Sequence, residues 1–295
     1  MHYVQYREKP DSLMMMTTMN EATHDHTRFK MLIEYDGTDF VGWQAQSKGR
    51  SVQCVIEEAL HRVFGQQLRL HGAGRTDAGV HASGQTAHFD IRTRLDPYTI
   101  MRALNAHLAG DVTIRQVEIV DNDFHARFSA SSREYTYTIA HDRISLERRT
   151  RWALYTPIDH RPILEAVMLL EGTHDFTAFS KHVRSLSHHY CHVFNAVWES
   201  GEGTSRFTIR ANRFLQGMVR CLIGGLVLVG RGKLTPDAFS GILQSCDRAR
   251  APMLAPSHGL VLTAVKYDSA ERAIVDEIMR QLRSGEAMHC EGVDE

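Results

Sequence analysis

Apolar residues recur along this chain at two different spacings, and the switches between them outline its elements. FKMLIEYDG (29–37) is a short apolar run closed at Asp36-Gly37, which predicts a strand and a turn. SVQCVIEEALHRVFG (51–65) changes to helical spacing. Val52, Ile56, Leu60 and Val63 share a face, Ser51 suits the N-cap and Gly65 the stop. QLRLHGA (67–73) and SGQTAHFDI (83–91) predict strands entering and leaving a glycine-rich loop. PYTIMRALNAHL (97–108) predicts a helix opened by Pro97, and DVTIRQVEIV (111–120) another strand.

The pattern restarts near Ser131. REYTYTIAH (133–141) alternates strictly, so Arg133, Tyr135, Tyr137 and Ile139 face one way. RPILEAVMLLEG (161–172) predicts a helix ended by Gly172. HVFNAVWES (192–200) and SRFTIRAN (205–212) predict a hairpin turning at Gly201 to Gly203. LQGMVRCLIGGLVLVG (215–230) predicts a helix whose stripe is Leu215, Val219, Leu222, Ile223, Leu226 and Val229. TPDAFSGILQS (235–245) predicts a helix capped by Thr235, and GLVLTAVKYD (259–268) a last strand. Strands and helices mixed in this way predict an α+β fold of two domains, 29–130 and 131–268, with mostly antiparallel sheets. Residues 1–28 lack an apolar period and read as a disordered or non-native head; 269–295 read as an acidic tail, helical at first and then disordered.

Composition narrows the class. No run approaches the ~18 apolar residues of a membrane span, and the polar start shows no secretion signal. Cys54, Cys191, Cys221, Cys246 and Cys290 are scattered and odd in number, which predicts reduced thiols in a cytoplasmic protein. The net charge of −1 conceals a body, 29–267, of +5 between two acidic ends. Arginine outnumbers lysine 28 to 6. That excess fits phosphate and base recognition and is equally what genomic codon bias would produce.

The chemistry concentrates in HGAGRTDAGVH (71–81). A phosphate cradle is excluded because Asp77 stands where a third glycine would be needed. His71, Asp77 and His81 offer a weak metal set and a metal-dependent hydrolase reading. SHHYCH (187–192) is a second metal temptation, too tightly packed in a strand for all its ligands to reach one ion. Asp77 beside Arg75 is either a salt bridge holding the turn or a working carboxylate with a cation. A non-catalytic RNA-binding protein is a further alternative, against which Asp77 speaks, since a binder has no need of a carboxylate facing phosphates.

GAGRTDAGVHASGQTAHF (72–89) closely resembles the signature of the TruA family of tRNA pseudouridine synthases. IEYDGTDFVGWQAQ with SVQ (33–53), FHARFSASSREYTYTI (124–139), HDFTAFSK (174–181), NRFLQGMVRCLIGGLVLVG (212–230) and HGLVLTAVKYD (258–268) resemble its other motifs in the same order. The resemblance implies isomerisation of uridine to pseudouridine in the anticodon stem-loop of tRNA, around positions 38 to 40, by a homodimer with a basic cleft and with no cofactor or metal. It implies Asp77 as nucleophile, Arg75 as the residue that helps extrude the nucleotide, Tyr135 as stacking face and candidate base for the C5 proton, Arg220 as partner of Asp77, and Leu260 as wall of the uracil pocket. Gln216-Gly217 departs from the family pattern, which carries histidines there. A flipped base needs walls and a counter-charge from separate elements. The two domains are therefore expected to adjoin at a cleft where Asp77 meets Tyr135, Arg220 and Leu260, fed by Arg50, Arg75, Arg127, Arg133 and Arg213.

Overall fold

Ten strands form one mixed sheet in the order β4-β1-β3-β10-β5-β9-β8-β7, in a computed structural model that describes residues 26–181 and 188–284. β1 (Thr27–Tyr35), β3 (His81–Ile91) and β4 (Val112–Val120) make the first antiparallel set, with β2 (His71–Gly72) pairing β3. β5 (Ser132–Ala140), β8 (Tyr190–Gly201), β9 (Thr204–Ala211) and β7 (Gly172–Asp175) make the second, with β6 (Trp152–Ala153) beside β5. β10 (Leu260–Lys266) is the seam. It runs antiparallel to β5 and parallel to β3, where Val261 and Leu262 pair with His81 and Ala82. The backbones come very close there: a Cβ on Gly84 would stand 2.0 Å from the Thr263 carbonyl oxygen, so only glycine fits. The two expected antiparallel sets thus adjoin edge to edge in one continuous sheet.

Helices pack on the sheet as the spacing requires. α1 (Val52–Phe64) is capped by the Ser51 hydroxyl, which accepts from the Cys54 amide, and stops at a left-handed Gly65. α2 (Pro97–His107) is capped by Asp96 and α5 (Pro236–Ser245) by Thr235. α4 (Met218–Gly230) buries Met218, Val219, Cys221, Leu222, Ile223, Leu226 and Val229. It starts three residues later than its apolar stripe suggests, because Gly217 has φ +75°, a left-handed conformation no helix can include. α3 (His160–Met168) ends before the expected Gly172, which opens β7 instead.

One end of the described chain differs from expectation, and the other begins as the helix expected of it. Thr27 and Arg28 belong to β1, and Arg28 forms a bidentate ion pair with Asp90; residues 1–25 of the expected head lie outside the described residues. The tail begins as α6 (Ser269–Ser284), which docks on the body: Glu271 accepts from the Ser131 and Ser132 hydroxyls and pairs with Arg210. Its remainder also lies outside the described residues. Cys54, Cys191, Cys221 and Cys246 are free thiols, and among the described residues no helix is long and apolar enough to cross a membrane.

Candidate active site

The loop after β2 is held almost residue by residue. The Ala73 amide donates to Thr86 O at 2.7 Å, and its carbonyl accepts from Arg133 Nη2 at 2.9 Å. Buried Gln85 donates to Gly74 O at 3.0 Å. The Thr76 hydroxyl meets Tyr35 OH at 2.8 Å, and the Thr76 carbonyl accepts from the Trp43 amide at 3.1 Å. The Val80 amide closes a turn on Asp77 O at 3.1 Å, and left-handed Gly79 donates to Phe40 O at 3.3 Å. None of these contacts uses the Asp77 side chain, which is half-buried and has no hydrogen bond among the described residues.

Its partner comes from the other half of the sheet. Arg220 stands in the first turn of α4, and its Nε donates to Ala255 O at 2.7 Å while the Ala255 amide donates to Arg220 O at 3.0 Å. That two-way tie aims the free end of the guanidinium, and Nη1 lies 3.9 Å from Asp77 Oδ2. The spacing is that of an ion pair without a direct hydrogen bond. Arg75 and Asp77 form no ion pair: Asp77 faces Arg220, and Arg75 is exposed, without a hydrogen bond or ion pair among the described residues.

Tyr135, which lies near enough to Asp77 to feel its charge, and Leu260 share a face through strand register. Leu260 pairs with Tyr137 and Leu262 with Tyr135, so these four side chains share one face and all are buried. Tyr135 packs edge-on against Phe214 at 5.1 Å. Burial, reinforced by Tyr35 and Asp77, pushes its phenol well above the ordinary tyrosine range. The resting side chain is therefore a neutral phenol. The Tyr137 hydroxyl, which the sequence did not single out, donates to Pro256 O at 2.9 Å and so fixes the loop that holds Arg220. Its place in the REYTYTI alternation was the available signal. Arg213 is half-buried in the segment between β9 and α4, and it too makes no hydrogen bond or ion pair among the described residues.

The expected cations divide. Arg127 is exposed like Arg75. Arg50 is already paired with Asp111 and lies over the Phe40 ring. Arg133 is engaged within the fold: its half-buried guanidinium donates through Nη1 and Nη2 to the carbonyls of Ala130, Arg127, Ala73 and Asn212, which leaves only Nε without a protein acceptor among the described residues. Its position in the alternation forces it inward with Tyr135.

The metal alternative fails on orientation. His81 Nδ1 accepts from the Gly37 amide at 3.0 Å beside Asp36, whereas His71 stacks on His88 at 4.9 Å. Among the described residues no group of three or more His, Cys, Asp or Glu side chains is arranged to hold a metal ion. In the second cluster, Cys191 is buried and His192 Nδ1 bonds the Thr173 hydroxyl at 2.8 Å, while Ser187 lies outside the described residues.

The sequence profile described as tRNA pseudouridine synthase matches residues 31–129 and 166–268. The chain belongs to the tRNA pseudouridine synthases. It is 41% identical over 243 residues to tRNA pseudouridine synthase A of Bacteroides thetaiotaomicron, covering 81% of this chain and 90% of that one. Identity to the protein of the same name from Sinorhizobium medicae is 43% over 246 residues, covering 81% and 99%. For Chloroflexus aurantiacus it is 44% over 246 residues, covering 80% and 87%. Enzymes of this family isomerise uridine to pseudouridine in tRNA. The matched segments of this synthase contain Asp77, Arg75, Arg213, Arg220 and Leu260, and Tyr135 falls between them.

Proposed function

We propose that this synthase acts on the anticodon stem-loop of tRNA, around positions 38 to 40, with Asp77 as nucleophile. The observation that carries the assignment is the Asp77–Arg220 pair, 3.9 Å apart and assembled from a glycine loop and a helix N-terminus across the sheet seam. Isomerisation breaks the N1–C1′ bond, forms C5–C1′, moves a proton off C5 and leaves one on N1. An aspartate that adds to the base, or one that takes the ribose at C1′, can hold the two fragments between these steps. Arg220 balances its charge, and Tyr135 and Leu260 offer the flat and apolar walls of a base-sized site. Unpaired Arg75, on the exposed side of the loop, is free to occupy the gap left in the stem, and Arg213 to meet a phosphate. The residues that surround Asp77 come from 29–130 and 131–268, which is the division we propose for the domains. A cytoplasmic homodimer completes the reading, since a second copy lengthens the surface that grips one tRNA.

Pseudouridine mapping of tRNA from cells with and without the protein tests the proposal. The modification should vanish from the anticodon arm and return with wild-type protein but not with Asp77→Asn. Unchanged anticodon-arm modification would overturn it.

A further inference from the structure

The segment 121–130 connects β4, at the edge of the sheet, to β5 at its centre, and it is tied down along its length. The Ala126 amide donates to His88 Nδ1 at 3.1 Å, and the Arg127 and Phe128 amides donate to His125 Nδ1 at 3.1 and 3.3 Å. The Ser129 amide donates to His125 O at 2.8 Å, and the Ser129 hydroxyl accepts from the His125 amide at 2.9 Å. The carbonyls of 126, 127 and 128 accept from Tyr267, Arg133 and Arg272 in turn.

This fixed loop holds the Phe128 ring in solvent, 64% exposed. A single exposed phenyl ring is ordinary; its support is not. Below it lies the His125 ring, 4.4 Å away and tilted by 36°. His125 in turn lies 4.6 Å from His88 and 5.6 Å from His71. The Arg127 guanidinium sits 5.6 Å from the Phe128 centroid. His71 is exposed and belongs to β2, the strand that leads into the Asp77 loop, so the ring cluster is tied through the chain to the candidate active site. Burial and neighbouring cations lower the basicity of His88 and His125, which keeps their Nδ1 atoms available as acceptors for the loop amides.

A largely exposed aromatic ring with a guanidinium within 5.6 Å of its centroid recognises a nucleobase, which offers a π surface of its own. Asp121 and Asp123 in the same segment disfavour a phosphate there. We propose that Phe128, backed by His125 and flanked by Arg127, stacks on an unpaired base of the tRNA substrate outside the pocket that receives the target uridine. The proposal rests on the synthase activity and adds a second point of base contact to it. Stacking before and during catalysis alike lowers KM and leaves the chemical step unchanged.

The test uses full-length Phe128→Ser and Phe128→Trp on an unmodified tRNA transcript, with KM, kcat, melting temperature and the salt dependence of KM measured together. Phe128→Ser should raise KM about tenfold, leave kcat within about twofold, and leave the salt slope unchanged because no phosphate contact is lost. Phe128→Trp should restore KM. Phe128→Leu, apolar but not aromatic, stands in if the serine variant does not fold and should raise KM severalfold. A wild-type KM in the serine or leucine variant, or a rise that tryptophan fails to reverse, overturns the stacking surface. Failure of the underlying synthase reading would show separately, as a wild-type protein that makes no pseudouridine.

Discussion

Arg133→Ala is the sharpest perturbation the structure offers, because one guanidinium ties three other segments to β5. It donates at 2.7 Å to Arg127 O, at 2.9 Å to both Ala73 O and Asn212 O, and at 3.4 Å to Ala130 O. Burial lowers its basicity, and no carboxylate forms an ion pair with it among the described residues. A hydrogen bond to a charged group contributes about 1.5–3 kcal/mol. The four share one donor group and one of them is long, so they do not add. Removing the guanidinium leaves carbonyls without a donor at about 1–3 kcal/mol for each that stays buried, and water entering the vacated space restores part of that. We take about 3 kcal/mol. At roughly 2–4 °C per kcal/mol for a chain of this size, the melting temperature should fall by about 6–12 °C. Ala73 and Asn212 border the loops that carry Asp77 and Arg213, so the single-turnover rate of the folded variant should fall as well. Arg133→Lys keeps the charge but not the planar fork and should fall between the two. Calorimetry and single-turnover conversion of tRNA give the two readings. A melting temperature within about 2 °C of wild type, with a raised KM and a shallower salt dependence, would refute this account and return Arg133 to the surface cation that its residue type suggested.

Asp77→Asn should abolish pseudouridine formation while tRNA affinity measured by filter binding stays within about threefold, since no positive charge is lost. Arg220→Ala should lower single-turnover conversion and cost about 1–3 kcal/mol in denaturant unfolding, because it strands the Asp77 carboxylate and frees Ala255 O. Gly224→Ala should do both at a distance: its Cβ would stand 2.0 Å from Met253 O, and the displaced backbone belongs to the loop that holds Arg220. Overpacking of this kind costs about 1–3 kcal/mol, readable as a lowered denaturant midpoint. The last of the set concerns pH. Burial and Arg28 push His88 down from 6.5 to about 4. The unfolded chain therefore binds a proton that the folded one refuses. Its contribution to stability is whole above about pH 6.5 and is lost as pH falls toward 4. Melting temperature followed from pH 7.5 to 4.5 should drop less steeply in His88→Gln than in wild type.

Local signals in the sequence were read well and long-range ones were not, for physical reasons that particular residues show. Ser51 and Thr235 cap helices where they stand because a cap is a contact three residues long. β7 was missed because four half-buried residues make a strand only when β8 lies beside them. The start of α4 was misplaced because Leu215 fits the stripe, whereas the left-handed Gly217 that excludes it from the helix carries no hydrophobic signal. Arg133 is the instructive case. The alternation that predicted an inward Tyr135 placed Arg133 on the same inward face, yet residue type argued for a phosphate contact. The pattern was the stronger signal, since the Arg133 guanidinium directs its terminal donors to four backbone carbonyls of the fold. Asp77 shows the reverse. Its nearest charge along the chain, Arg75, is not its partner, because the turn that presents the carboxylate sends the two side chains apart. Arg220 becomes the partner through contacts no local pattern contains: the Gly84 approach that lets β10 join β3, and the Tyr137 and Ala255 bonds that fix the loop beside α4. What the sequence carried locally was which residues are chemically able to react. Which of them meet depends on the seam.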